Sequence, residues 1–174
     1  MKLNAILCVW NEEDIIHATV RHALAQGCDA VYLIDNASTD RTVQQALRAG
    51  AIFHATFSTE VFDEAQKTVY INKCATGINQ TLPGERNWWL YIDADEFPDF
   101  GNGLTIRRNL ELLPDDVRAV GGIEWQHLPT HEPYYLPGFH PADFAPLAEK
   151  PREEIFKYNL LRHDRDQPPI YAMS

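Results

Sequence analysis

In NWWLYIDADEFPDF (residues 87–100) an apolar run suited to the middle of a sheet ends abruptly in Asp93, Asp95 and Glu96. Alternate side chains of a strand share a face, so Asp93 and Asp95 are expected to project together, with Ala94 opposite. Paired carboxylates repel unless water or a cation separates them. Hard divalent ions such as Mg2+ and Mn2+ take carboxylate oxygens, and Mg2+ commonly combines one or two carboxylates with substrate phosphates. A solvated acidic turn is the competing reading. An EF-hand is excluded, because its loop needs a ligand at 97 and glycine at 98, where the chain has Phe97 and Pro98.

Two other polar clusters follow apolar runs. In IDNASTDRT (34–42), Asp35, Asn36 and Asp40 stand between a strand and a helix, a corner suited to a base edge, a ribose hydroxyl or a phosphate. Helix capping by Ser38, Thr39 or Asp40 explains part of that cluster. In WNEED (10–14), Asn11 reads as an N-cap, and Glu12, Glu13 and Asp14 suit the positive end of a helix dipole.

These clusters need a scaffold that brings them together. Apolar runs at 3–10, 30–35, 51–57 and 87–93 read as buried strands. Helical spacing marks 11–27, 38–50 and 60–80 between them, with Gly27 and Gly50 as stops. This alternation implies right-handed crossovers and an α/β fold: three layers, α/β/α, around a mainly parallel central sheet. Ligands in such sheets bind beyond the carboxyl ends of the strands, where all three clusters lie. The later chain is less regular. A helix is expected at 105–114, a strand or hairpin arm at 117–127, a long ordered loop at 128–151 and a strand at 153–163.

The 174 residues suit a single domain, 1–174, with residues 101–174 as its irregular half. A formal net charge of -10 argues against nucleic acid as a partner. The opening residues lack a signal-peptide pattern, and no segment approaches the ~20 apolar residues of a membrane span. Cys8, Cys28 and Cys74 are odd in number without metal-ligand spacing, which suits reduced thiols. The expected location is the cytoplasm, free or against the inner face of a membrane.

Taken together, VWNEEDII, VYLIDNASTDRT and WWLYIDADEF resemble family 2 glycosyltransferases of the GT-A fold, closest to a subgroup whose acidic motif ends in DADEF. The resemblance covers residues 3–100. It implies sugar transfer from a nucleoside diphosphate sugar to a glycan, lipid or protein acceptor, with residues 1–100 as the donor and metal half and 101–174 as a truncated acceptor side. By that carry-over Asn11 and Glu12 face the nucleoside, and Asp35 with Asn36 holds the base or ribose. Asp93 and Asp95 form the D-x-D that holds Mn2+ or Mg2+ against the donor diphosphate.

The chain departs from the family where relatives carry an Arg-Asn pair in the third helix. EAQKTVYINKCA offers Gln66, with Lys67 or Lys73 as the available charge. An inverting transferase also needs a carboxylate base beyond the D-x-D, for which Glu124, Glu132 and Asp143 are candidates. His163 is a candidate to complete the metal site or, more simply, a surface histidine. Trp125, Tyr134 and Tyr135 are candidates to stack on a sugar. The alternatives are a phosphatase-like hydrolase with Asp93 as nucleophile and Asp95 as acid/base, and a catalytically silent nucleotide-sugar-binding module.

Overall fold

The computed structural model describes residues 1–61, 63–82, 86–129 and 147–163, with 123–129 and 147–159 described by backbone alone. Along the chain run β1 (Lys2–Val9), α1 (Ile16–Ala25), β2 (Ala30–Asp35), α2 (Thr42–Ala49) and β3 (Ile52–Thr56). Then come α3 (Glu64–Asn79), β4 (Asn87–Tyr91), α4 (Ile106–Leu112), β5 (Ala119–Pro129) and β6 (Leu147–Arg162). They form one sheet in the order β3-β2-β1-β4-β6-β5. The first four of these strands are mutually parallel, β6 runs antiparallel to β4, and β5 antiparallel to β6.

Period-two alternation along β1 divides the core. Leu3, Ala5, Leu7 and Val9 pack with Ile16, Val20 and Ala23 of α1, Ala46 and Ala49 of α2, and Ile106 and Leu110 of α4. Ile6 faces the other way and packs with Trp89, Tyr91 and the apolar side of α3, namely Ile71, Cys74, Ala75 and Ile78. The sheet is therefore covered on both faces, the three-layer α/β/α arrangement that buried apolar strands require. Trp88, Trp89 and Leu90 are each fully buried, which explains why β4 reads as unbroken hydrophobicity.

Several element starts differ from expectation. Asn11 is not an N-cap: its φ of 58° carries the chain out of the helical region, and α1 begins only at Ile16. The acids at 12–14 thus precede the helix instead of forming its first turn. Nor does α2 start at Ser38 or Thr39. Ala37 is also left-handed, at φ 49°, and the helix begins at Thr42, whose N–H donates to Asp40 Oδ1 at 2.9 Å. Gly50 does end α2, at φ 109°, a conformation glycine adopts without a Cβ penalty.

The expected loop at 128–151 is shorter. Strand β5 reaches Pro129 and β6 begins at Leu147, while 130–146 lie outside the described residues. Pro151 is accommodated opposite Trp125 where the register shifts, one of the few sheet positions that tolerate a missing donor. All three cysteines are free thiols. Among the described residues no helix is long and apolar enough to cross a membrane.

Candidate functional site

The carboxyl ends of β1, β2 and β4 open on a cleft of about 290 Å3. Its polar lining is Glu12, Asn36, Asp63, Lys67, Asp93 and Asp95, with Trp10 and Phe57 among its apolar walls. Residues from all three sequence clusters therefore meet at one rim, as the topology requires.

Strand β4 stops at Tyr91, so a turn, not strand alternation, sets the acidic pair. That turn is closed reciprocally: Glu96 N–H donates to the Asp93 carbonyl at 3.2 Å, and Asp93 N–H donates to Glu96 Oε2 at 3.0 Å. Ala94 is buried, and its carbonyl accepts from Thr19 Oγ1 of α1. One turn further along α1, His22 Nε2 bonds the Pro98 carbonyl at 2.8 Å, with its ring edge-on to Phe97. Helix α1 thus grips the turn from behind. Asp93 and Asp95 remain on the cleft side, and Asp95 is exposed.

Lys67 is the cation that answers them. Asp63 caps α3 by accepting from Gln66 N–H at 3.0 Å, and Lys67, one turn into the helix, donates from Nζ to Asp93 Oδ1 at 2.6 Å. Burial works against the Lys67 charge, but the hydrogen bond and the negative charge of Asp93 outweigh it and raise its pKa. The Glu12 carboxyl is pushed up to about 7, first by burial and then by Asp95, Asp14, Asp40 and Asp93. Among the described residues that line the cleft, four carboxyl groups thus face one cation, Lys67. Burial also pushes the Cys8 thiol on the cleft wall up to about 12, despite Lys67.

Other expected residues are used differently. Asn11 Oδ1 accepts from Thr39 N–H at 2.8 Å, while Asn11 N–H donates to Ser38 Oγ at 2.9 Å. Asp40 accepts from Thr42 N–H, Thr42 Oγ1 and Glu13 N–H, and Glu12 N–H donates to Thr42 Oγ1 at 2.6 Å. The buried Asp35 carboxylate accepts from Ser38 N–H at 3.2 Å. Asn11 and Asp40 therefore lace two loops together, Asp35 closes its own turn, and none of the three lines the cleft. Asn36 does line it, with its amide bonded both ways to Thr59.

Lys73 is displaced as well: its ammonium lies over the Tyr70 ring, 5.4 Å from the centroid, away from the cleft lining. His163 is neither on the surface nor at the acidic turn. Because β6 runs back along β4, its end meets the start of β4, and His163 N–H donates to the Asn87 carbonyl at 2.9 Å. The ring is buried and shares a 2.9 Å hydrogen bond with the Tyr91 hydroxyl. Burial pulls its pKa down to about 4.

Glu124 lies on β5. Val120 sits level with Leu90 through Leu160, and β5 runs on from there in the direction of β4, carrying the Glu124 backbone past the level where β4 ends. The side chains of Glu124 and Trp125 lie outside the described residues, as do Glu132, Tyr134, Tyr135 and Asp143 altogether.

Among the described residues no three His, Cys, Asp or Glu side chains form a ready metal cage. Two carboxylates with a third close enough to be perturbed suit a hard cation whose remaining ligands come from phosphate oxygens. The donor set fits Mg2+ or Mn2+ held jointly with a substrate.

The profile of glycosyl transferase family 2 matches residues 5–117, a span that holds every element around the cleft. The chain belongs to glycosyl transferase family 2. For this family 2 member the hydrolase alternative, which rested on D-x-D alone, loses its basis. No curated protein matches the chain.

Among solved structures, glucosyl-3-phosphoglycerate synthase from Mycobacterium tuberculosis in complex with Mn2+ and uridine-diphosphate-glucose is similar at 19% identity. It covers 54% of this chain and 33% of its own, with a TM-score of 0.39. S. aureus TarS 1-349 is similar at 23% identity, covering 56% of this chain and 28% of its own, with a TM-score of 0.39. The chain spans about a third of the length of the solved structures it matches.

Lys67 and the two α1 anchors, Thr19 and His22, carry no short-range signature. The one available signal was D-x-x-Q at 63–66, which marks the start of α3 and puts Lys67 one turn in.

Proposed function

We propose that this chain is the donor-binding part of a glycosyltransferase that moves a sugar from a nucleoside diphosphate sugar to a glycan, lipid or protein acceptor. The observation that carries this reading is the meeting of Asp93, Asp95, Glu12 and Lys67 on one cleft at the carboxyl rim of the sheet. Asp93 and Asp95 would hold Mg2+ or Mn2+ together with the donor diphosphate. That ion would supply the positive charge that the departing diphosphate needs as the glycosidic bond breaks.

The chain's own groups do the rest. Lys67 sets the Asp93 carboxylate at a fixed angle and brings a second positive charge to the phosphates. The Thr19 and His22 bonds hold the acidic turn still, so its orientation costs little on binding. Trp10, 38% exposed at the cleft, offers a flat apolar face to a nucleobase. Asn36, locked by Thr59, presents a fixed polar edge beside it. For inverting transfer, Glu124 is the candidate base with a described backbone position, on the strand that extends over the same rim.

The test is thermal. Uridine diphosphate sugars with Mn2+ are expected to raise the melting temperature, and Asp95→Ala to remove that rise. Absence of a rise with every common nucleotide sugar, in protein shown to be folded, would sink the proposal.

A further inference from the structure

Building on the donor site just proposed, we infer that Lys67 is a built-in competitor of the divalent cation: its ammonium holds Asp93 in the ligand-free chain, so the metal binds weakly alone and strongly only with a diphosphate.

The geometry is specific. Lys67 Nζ sits 2.6 Å from Asp93 Oδ1 and 3.8 Å from Glu64 Oε2, and its side chain is only 14% exposed, against 42% for Asp93. An ammonium so enclosed loses its Asp93 partner if it swings into water. A dication taking Asp93 oxygens would therefore stand within a few ångströms of that positive charge, at a half-open site where water screens the repulsion only in part. The acid-rich rim draws the cation in while Lys67 opposes its tightest seat.

A diphosphate reverses the balance. Its oxygens can accept from Lys67 and ligate the cation at once, so the repulsion is neutralised when both ligands are present. Metal and nucleotide then favour each other's binding, and linkage makes the effect reciprocal. The arrangement keeps the cleft from filling with metal before the donor arrives. Its chemistry is that of an internal counter-ion, distinct from a lysine that only contacts phosphate.

Binding of Mn2+ to the full chain, followed by the loss of its free-ion paramagnetic resonance signal, tests this without any turnover. Lys67→Met and Lys67→Gln are expected to bind Mn2+ alone about tenfold tighter than the unaltered chain. Uridine diphosphate should strengthen Mn2+ binding to the unaltered chain, and that enhancement should shrink by a similar factor in both variants. Lys67→Gln keeps a hydrogen-bond donor for Asp93 without the charge, so it separates charge from contact and decides the matter if the methionine variant fails to fold.

Equal or weaker binding of Mn2+ alone to the folded variants overturns the inference. In that case, nucleotide-dependent Mn2+ binding that Asp95→Ala abolishes would still uphold the donor site. No Mn2+ binding with or without uridine diphosphate overturns both.

Discussion

Strand β4 carries polar groups at both ends and uses them in opposite ways. At its start, Asn87 is fully buried, its Nδ2 donates to Asn79 Oδ1 at 2.9 Å, its carbonyl accepts from His163 N–H, and the buried His163 ring reaches along the strand to the Tyr91 hydroxyl. At its finish, Asp93 and Asp95 stand on an open cleft where, among the described residues, Lys67 is the one cation in the lining. Residue types alone do not separate these ends. What separates them is strand direction: ligands in such sheets bind beyond the carboxyl ends of the strands, and the acidic pair lies at that end. The Asn87 Nδ2 and the His163 ring find their partners within the fold, whereas a rim carboxylate keeps capacity for something else.

The two ends should titrate with opposite signs, which offers the sharpest way to break the contrast. His163 has its folded pKa lowered from 6.5 to about 4, so the unfolded chain takes up the proton first as pH falls. Stability is therefore full above 6.5 and falls by about 3 kcal/mol as pH drops to 4, an effect that His163→Leu should flatten in urea unfolding. If the limb persists unchanged in that variant, the amino end is not responsible.

A smaller loss is expected in the lacing between the rim loops. Asp40→Ala removes an acceptor used by Thr42 and Glu13 and should cost about 2 kcal/mol in equilibrium unfolding. Any donor-induced rise in melting temperature should survive, because Asp40 does not line the cleft. Loss of that rise would return Asp40 to the binding residues.

Glu12 gives the opposite pH sign. Its folded pKa is raised from 4.5 to about 7, so the folded chain holds the proton more tightly, and the associated stability is present below 4.5 and lost as pH climbs through 7. After discounting for its partial exposure, the loss should be about 1–2 kcal/mol and absent in Glu12→Gln. Asp95→Ala is the smallest in this series. With the side chain exposed, unfolding stability should change by less than about 0.5 kcal/mol, even though the donor response disappears.

What could be read without coordinates follows from how local each signal is. The apolar runs of β1, β2 and β4, the glycine stop of α2 and the family's ordered motifs all depend on neighbours in sequence. The helix starts did not come through, because Asn11 and Ser38 have the chemistry of caps but spend it across loops 27 to 28 residues apart, while Asp40, which does accept from Thr42 at the start of α2, also reaches back to Glu13. The position of His163 was hidden for a related reason: an antiparallel return from β5 through β6 decides which end of β4 it reaches. Lys67 and Lys73 were equivalent as letters. Only the phase of α3 against the sheet sends one to Asp93 and the other to Tyr70.

Helix α1 is bonded to two segments far away in sequence. Thr19 and His22 hold Ala94 and Pro98, while at the other end Gln26 accepts from Ile106 and Arg107, its carbonyl and side chain both engaged. From Thr19 to Gln26, roughly 10 Å of helix, α1 thus joins the acidic turn to the first residues of α4. Were the turn to step sideways on loading, the first turn of α4 would move with it unless one of those bonds gave way, as if both hung from a single crossbeam.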